Sequence, residues 1–175
     1  QGQTPNSQLT FVDFGDVKLI FEERGLSTRK TTKVTVEFHT DRGVIKEGKF
    51  FPAGSDAGEP IPDAPPSGFA ELGRPHFRNF IDCVRSRRRE ELNGEILDGH
   101  RSTLLAHLGN ISYRLGRDVP FDRRVDALPG GALADEALEA MKRHLADSGV
   151  KLEGASYRLG RALRFDAQAE RFVAD

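Results

Sequence analysis

Between Leu97 and Gly116 the sequence collects side chains able to hold a polar ligand. At about 100° per residue, His100, Thr103, His107, Asn110 and Arg114 form one helical stripe. Beside it runs an apolar stripe of Leu97, Leu104, Leu108, Ile111 and Leu115. Much of the back is small, with Ser102, Ala106, Gly109 and Ser112, and small residues let another backbone approach closely. A helix that is apolar on one side and small behind is predicted to be covered from both, which encloses the polar stripe. Enclosed histidine and asparagine need hydrogen-bond partners. Two sources remain open: neighbouring loops, giving an internal polar network, or a hydroxyl-rich ligand. For the second, His100, His107 and Asn110 are the candidate binding residues.

Other chemistries fit less well. His100 and His107 lie two helical turns apart, about 10 Å, too far for one zinc at about 2 Å from each ligand. Cys83 stands alone without a CxxC partner, and inside an amphipathic helix it reads as a packing residue. Ser102 follows Gly99-His100-Arg101, which is not a nucleophile elbow. No glycine-rich phosphate cradle follows a strand, and the glycines from Gly54 to Gly73 are interrupted by prolines. No catalytic, metal-binding or cofactor-binding residue is therefore assigned. The Arg85–Arg89 run lacks interleaved aromatics, and the net charge of −1 gives nucleic acid or a membrane surface no global attraction. No apolar run approaches the roughly 18 residues of a membrane span.

The elements that would position the stripe follow from periodicity. Val17, Leu19 and Phe21 alternate with Lys18, Ile20 and Glu22, and Val34, Val36 and Phe38 alternate with Lys33, Thr35, Glu37 and His39. Period two describes strands with one covered face. Leu9–Phe14 is an expected first strand, Gly15-Asp16 a turn, and Asp41-Arg42-Gly43 a turn before a strand over Val44–Phe51. Residues 52–75 are rich in proline and glycine and read as a long loop. Pro75 suits a helix first turn, followed by Phe77, Phe80, Ile81 and Val84 at helical spacing and closed by Arg85–Arg89. Asp98 could cap the central helix, with Gly116 as its stop. A third helix is expected over Leu133–Ala146 and a short strand near Ala162–Phe165. Residues 118–175 read as a helical and irregular extension. The expected class is α+β: an open, mainly antiparallel sheet with helices on one face.

Ser112-Tyr113-Arg114-Leu115-Gly116-Arg117 recurs as Ser156-Tyr157-Arg158-Leu159-Gly160-Arg161, and Phe121-Asp122 and Phe165-Asp166 follow at the same offset. The simplest expectation is duplication of a helix end together with the strand after it.

Several ordered segments carry a resemblance. They are Thr4-Pro5-Asn6-Ser7-Gln8-Leu9, Leu19-Ile20-Phe21-Glu22, Arg24-Gly25-Leu26, the run from His76 to Arg87, Gly99-His100-Arg101-Ser102, the run from His107 to Gly116, Phe165-Asp166 and Glu170-Arg171-Phe172. Together they resemble the carboxyl-terminal half of Gfo/Idh/MocA oxidoreductases, in a subgroup common in planctomycete-like genomes. The resemblance implies a two-domain enzyme in which an N-terminal Rossmann domain binds NAD or NADP. The second domain shapes a pocket for a sugar or polyol and forms homo-oligomers through its sheet. The cofactor and catalytic motifs of such enzymes find no match here. The chain opens on Gln1, and the Rossmann half is expected to be missing from it. No cofactor is expected on this chain alone, which would be inactive by itself. Two alternatives share the fold: an NAD-dependent glycoside hydrolase, and a non-catalytic module for sugar binding or oligomerisation.

Overall fold

The structure is a computed structural model that describes residues 4–26, 36–62, 69–122, 128 and 130–174. It forms two compact units, residues 1–32 with 101–175, and residues 33–100.

The first unit begins with an antiparallel hairpin of β1 (Ser7–Asp13) and β2 (Lys18–Arg24). Its turn uses Gly15 at φ 90°, and the Asp13 carboxylate accepts the Gly15 N–H at 2.8 Å. The Lys18 ammonium pairs with Asp13 and donates to the Gly15 carbonyl at 2.8 Å. Burial departs from the expected alternation, because Val17 and Phe21 are more than half exposed while Leu19 and Ile20 are half-buried.

The second unit carries a four-stranded antiparallel sheet of β3 (Glu37–Thr40), β4 (Gly43–Lys46), β5 (Lys49–Pro52) and β6 (Glu59–Pro60), in that order. The single strand expected over Val44–Phe51 is in fact a hairpin. Glu47 and Gly48 both take positive φ, 51° and 73°, which is the requirement of the tightest two-residue turn. The apolar face of β3 is open, with Phe38 and the preceding Val36 exposed. The expected partners Lys33–Thr35 fall outside the described residues.

Helix α1 (Phe69–Ser86) starts earlier than expected, so Pro75 lies inside it and not in its first turn. Proline there keeps a helical φ but forfeits one hydrogen bond to the preceding turn. The helix also stops earlier than the arginine run suggested. Arg87 takes φ 60° and its N–H returns to the Cys83 carbonyl at 2.9 Å, a left-handed helix end. A short 3-10 turn, Arg89–Glu91, follows.

Asn79 closes this turn. Its Nδ2 donates to the Glu91 carbonyl at 2.7 Å, and its Oδ1 accepts the Asn93 N–H at 2.9 Å. Among the described side chains of α1, Phe77 is 70% exposed and Phe80, Ile81 and Val84 are also exposed.

Helix α2 (Ile96–Arg114) carries the polar stripe. Its start is held by Glu95 rather than by Asp98. The Glu95 Oε2 accepts the Leu97 N–H at 2.7 Å, and the Arg89 Nε donates to Oε1 at 2.9 Å. These contacts hold the Glu95 carboxyl below the ordinary carboxylate range, the backbone bond contributing most and Arg89 next. Asp98 sits in the first turn, where a negative charge favours the helix dipole.

The first unit resumes with β7 (Arg117–Pro120), α3 (Ala132–Asp147) and β8 (Ser156–Leu159), and closes with the small hairpin of β9 (Phe165–Asp166) and β10 (Arg171–Phe172). Strand β7 pairs antiparallel with β8, placing Val119 opposite Tyr157. Helix α3 packs on β1 and β2. The buried apolar side chains among the described residues, Val119, Ala134 and Met141, belong to this unit, together with buried His144. The Phe121 ring packs on Tyr157 at 5.0 Å, and Phe165 meets Phe172 edge-on at 5.5 Å. Every strand pair among the described residues is antiparallel, distributed over four sheets. The protein is α+β.

Candidate functional site

The site is built on α2. Gly109 is the buried point of this helix. A Cβ placed there would come within 2.9 Å of Thr10 Oγ1 and 3.2 Å of Gln8 Nε2, so β1 passes directly behind it. Ser112, one turn on, donates its hydroxyl to the Arg161 carbonyl at 2.7 Å. Gly109 and Ser112 therefore serve close approach, with Leu104, Leu108 and Ile111 half-buried beside them, whereas Ser102 and Ala106, expected to be covered with them, are exposed.

The polar stripe is less enclosed than the two covered sides implied. His107 is exposed and Asn110 is half-buried, three residues further along the helix. His100 is also exposed. A side chain that reaches solvent keeps water as a partner, so the internal network that enclosure would demand is not required at His107.

The end of α2 is unusual, because the two copies of the repeated hexapeptide meet there. The first copy is the last turn of α2 and the start of β7, while the second forms β8 and the irregular residues just after it. The expected duplication of a helix end is thus overturned: identical residues form helix in one copy and strand in the other. Helix formation propagates cooperatively from the turns already made, so Ser112–Arg114 simply continue a long helix. Ser156–Leu159 instead follow a turn at Gly154, φ 69°, and find a strand partner in β7.

Where the copies touch, they are close. The Arg158 guanidinium donates to the Tyr113 carbonyl at 3.0 Å and the Arg114 carbonyl at 3.2 Å, and lies over the Tyr113 ring at 5.8 Å. It also contacts Asp118 at 3.3 Å. A Cβ on Gly116 would lie 2.3 Å from the Leu159 carbonyl oxygen, and one on Gly160 would lie 2.3 Å from Ser112 Oγ. Sequence reading found the repeat but not this contact. It also missed Asn79, whose only signal was an amide on an otherwise amphipathic helix.

A dinucleotide would need a glycine-rich turn with free backbone donors at a helix start. The nearest candidate is Gly130-Gly131 before α3, and it does not fit. A Cβ at Gly130 would meet Ala134 at 3.2 Å and Ile20 at 3.4 Å, so the turn is packed against the protein itself. Asp135 in the first turn would repel a phosphate. Among the described residues, no three His, Cys, Asp or Glu side chains are grouped to hold a metal ion. An open concavity of about 270 Å³ lies along β4 and β5, bordered by Lys46, Phe51 and Asp56, with the Lys46 ammonium 5.0 Å from the Phe51 ring centre.

No curated protein and no solved structure matches the chain. Residues 61–147 match the model of an oxidoreductase family, described as its C-terminal alpha/beta domain. That span contains α1, α2, β7 and α3, hence His100, His107 and Asn110. With the α+β class and the antiparallel pairing described above, this match places the chain in the Gfo/Idh/MocA oxidoreductases, as their C-terminal domain.

Proposed function

We propose that this chain is the substrate-facing and assembly domain of an NAD(P)-dependent oxidoreductase acting on a sugar or polyol. The observation that carries the reading is the placement of His107 and Asn110. They stand about one turn apart on a helix of the family-matched segment. One is exposed and the other half-buried, and neither side chain has a hydrogen-bond partner among the described residues. Two such groups at this spacing suit adjacent hydroxyls, where imidazole and amide can each both donate and accept. His100, the third candidate, is exposed near the start of the same helix. The packed α3 start favours a dinucleotide site on a separate Rossmann domain, so the isolated chain is inactive in this reading. Exposed apolar side chains such as Val36 and Phe38 at β3 suit a sheet face used in homo-oligomer assembly.

The test uses the protein joined to its dinucleotide-binding domain, with oxidation of a panel of sugars and polyols followed by NAD(P)H absorbance. His107→Ala should raise KM for the sugar or lower kcat, about tenfold in kcat/KM for a lost hydrogen bond, without moving the melting temperature. Unchanged kinetics with lowered stability would show that His107 serves packing alone.

A further inference from the structure

We infer that the second hexapeptide copy is a clasp on the end of α2, and that Arg158 is a positioning residue for the polar stripe. The last four carbonyls of an α-helix have no partner within the helix. In α2 these belong to Ile111, Ser112, Tyr113 and Arg114, and each is satisfied. Ile111 accepts from the Leu115 N–H at 3.0 Å. Ser112 accepts from the Arg161 N–H at 3.0 Å. Tyr113 accepts from the Gly116 N–H at 3.1 Å and from Arg158 Nε at 3.0 Å, and Arg114 accepts from Arg158 Nη2 at 3.2 Å.

Three of the four therefore draw on the second copy. A guanidinium at this place also meets the negative end of the helix dipole, and its planar fork spans two carbonyls, which an ammonium cannot do in the same way. The Ser112 hydroxyl returns a bond to the Arg161 carbonyl, so the contact is reciprocal. Gly116 and Gly160 let the two backbones come this near.

Asn110 lies one turn before this end and His107 two turns before it. A last turn that frays changes the direction in which both side chains point, while one held on three carbonyls keeps them fixed. The clasp thus takes a segment remote in sequence and uses it to hold the ligand-facing helix. This role rests on the functional reading above.

The experiment compares Arg158→Gln, Arg158→Lys and Asp118→Asn in the protein joined to its dinucleotide-binding domain. Amide hydrogen exchange of α2 and steady-state kinetics are read together. Arg158→Gln should speed exchange at the amides of Tyr113–Gly116 about tenfold, the loss expected for a charged hydrogen bond. It should raise KM for the sugar about threefold or more while KM for NAD(P) stays unchanged. Arg158→Lys should fall between it and the parent, and Asp118→Asn, which spares the carbonyl contacts, should match the parent. Unchanged exchange at the end of α2 overturns the clasp. Faster exchange with an unchanged sugar KM overturns the positioning role. His107→Ala is measured alongside, so that failure of the functional reading appears in that variant and not in the exchange data.

Discussion

Gly116→Ala would add a Cβ 2.3 Å from the Leu159 carbonyl oxygen, a separation that a carbon and an oxygen do not tolerate. The obstacle is backbone, so no side chain can swing away. Strand β8 would have to withdraw by roughly 1 Å before the contact becomes ordinary. That movement lengthens the β7–β8 bonds around the Arg117–Leu159 pair and loosens the Arg158 contacts with the end of α2. Losing one or two such bonds costs about 0.5–1.5 kcal/mol each. Alanine repays about 0.4–1 kcal/mol by restricting the unfolded chain. At mid-range values the net loss is about 0.3–1.3 kcal/mol, or roughly 1–5 °C in melting temperature for a chain of this size. Gly99→Ala is the matched control. Gly99 lies within α2 and an added Cβ there meets nothing within 4 Å, so helix preference alone should raise stability by up to about 1 kcal/mol. Urea unfolding of both variants and the parent, at equal slope, measures the difference directly. If Gly116→Ala proves as stable as the parent while Gly99→Ala rises, the close approach of the two copies is wrong.

Two further outcomes are expected. Asn79→Ala removes both bonds that close the turn after α1 and should lower stability by about 1–2 kcal/mol, with Asn79→Asp, which keeps only the acceptor, falling between. Denaturant midpoints decide this, and a neutral alanine variant would deny the clamp. Tyr157 Oη is buried without a partner among the described residues, and burial pushes its phenol up while the Lys142 charge opposes the shift. Tyr157→Phe should therefore gain up to about 1 kcal/mol at neutral pH. In the parent, stability is lost as pH rises past 10, because the unfolded chain releases the phenol proton first. Urea midpoints measured across that range should fall less in the phenylalanine variant, and an equal fall in both would place the phenol in contact with water.

Periodicity alone located the three helices, because a stripe recurring every three to four residues survives any tertiary arrangement. The close approach at Gly109 and Ser112 was equally readable from small residues along one helical line, although Ser102 and Ala106 on that line are exposed. Their partners were not, because β1 and the second hexapeptide copy come from distant parts of the chain. The break at Glu47-Gly48 was signalled by the polar stretch Lys46-Glu47-Gly48-Lys49 between two apolar pairs, but the positive backbone angles are what define the turn. Family membership could be read because ordered motifs over a long stretch carry it, whereas the exposure of His107 could not, being a property of what packs around α2. The hexapeptide shows the boundary most sharply. Ser-Tyr-Arg-Leu-Gly-Arg carries no decision between helix and strand within its own six residues. The first copy is helical because sixteen residues before it already are, and the second is extended because a turn releases it beside a strand partner. Side-chain chemistry sets which groups are available, but the choice between these states is made by neighbours, and neighbours exist only once the chain has folded.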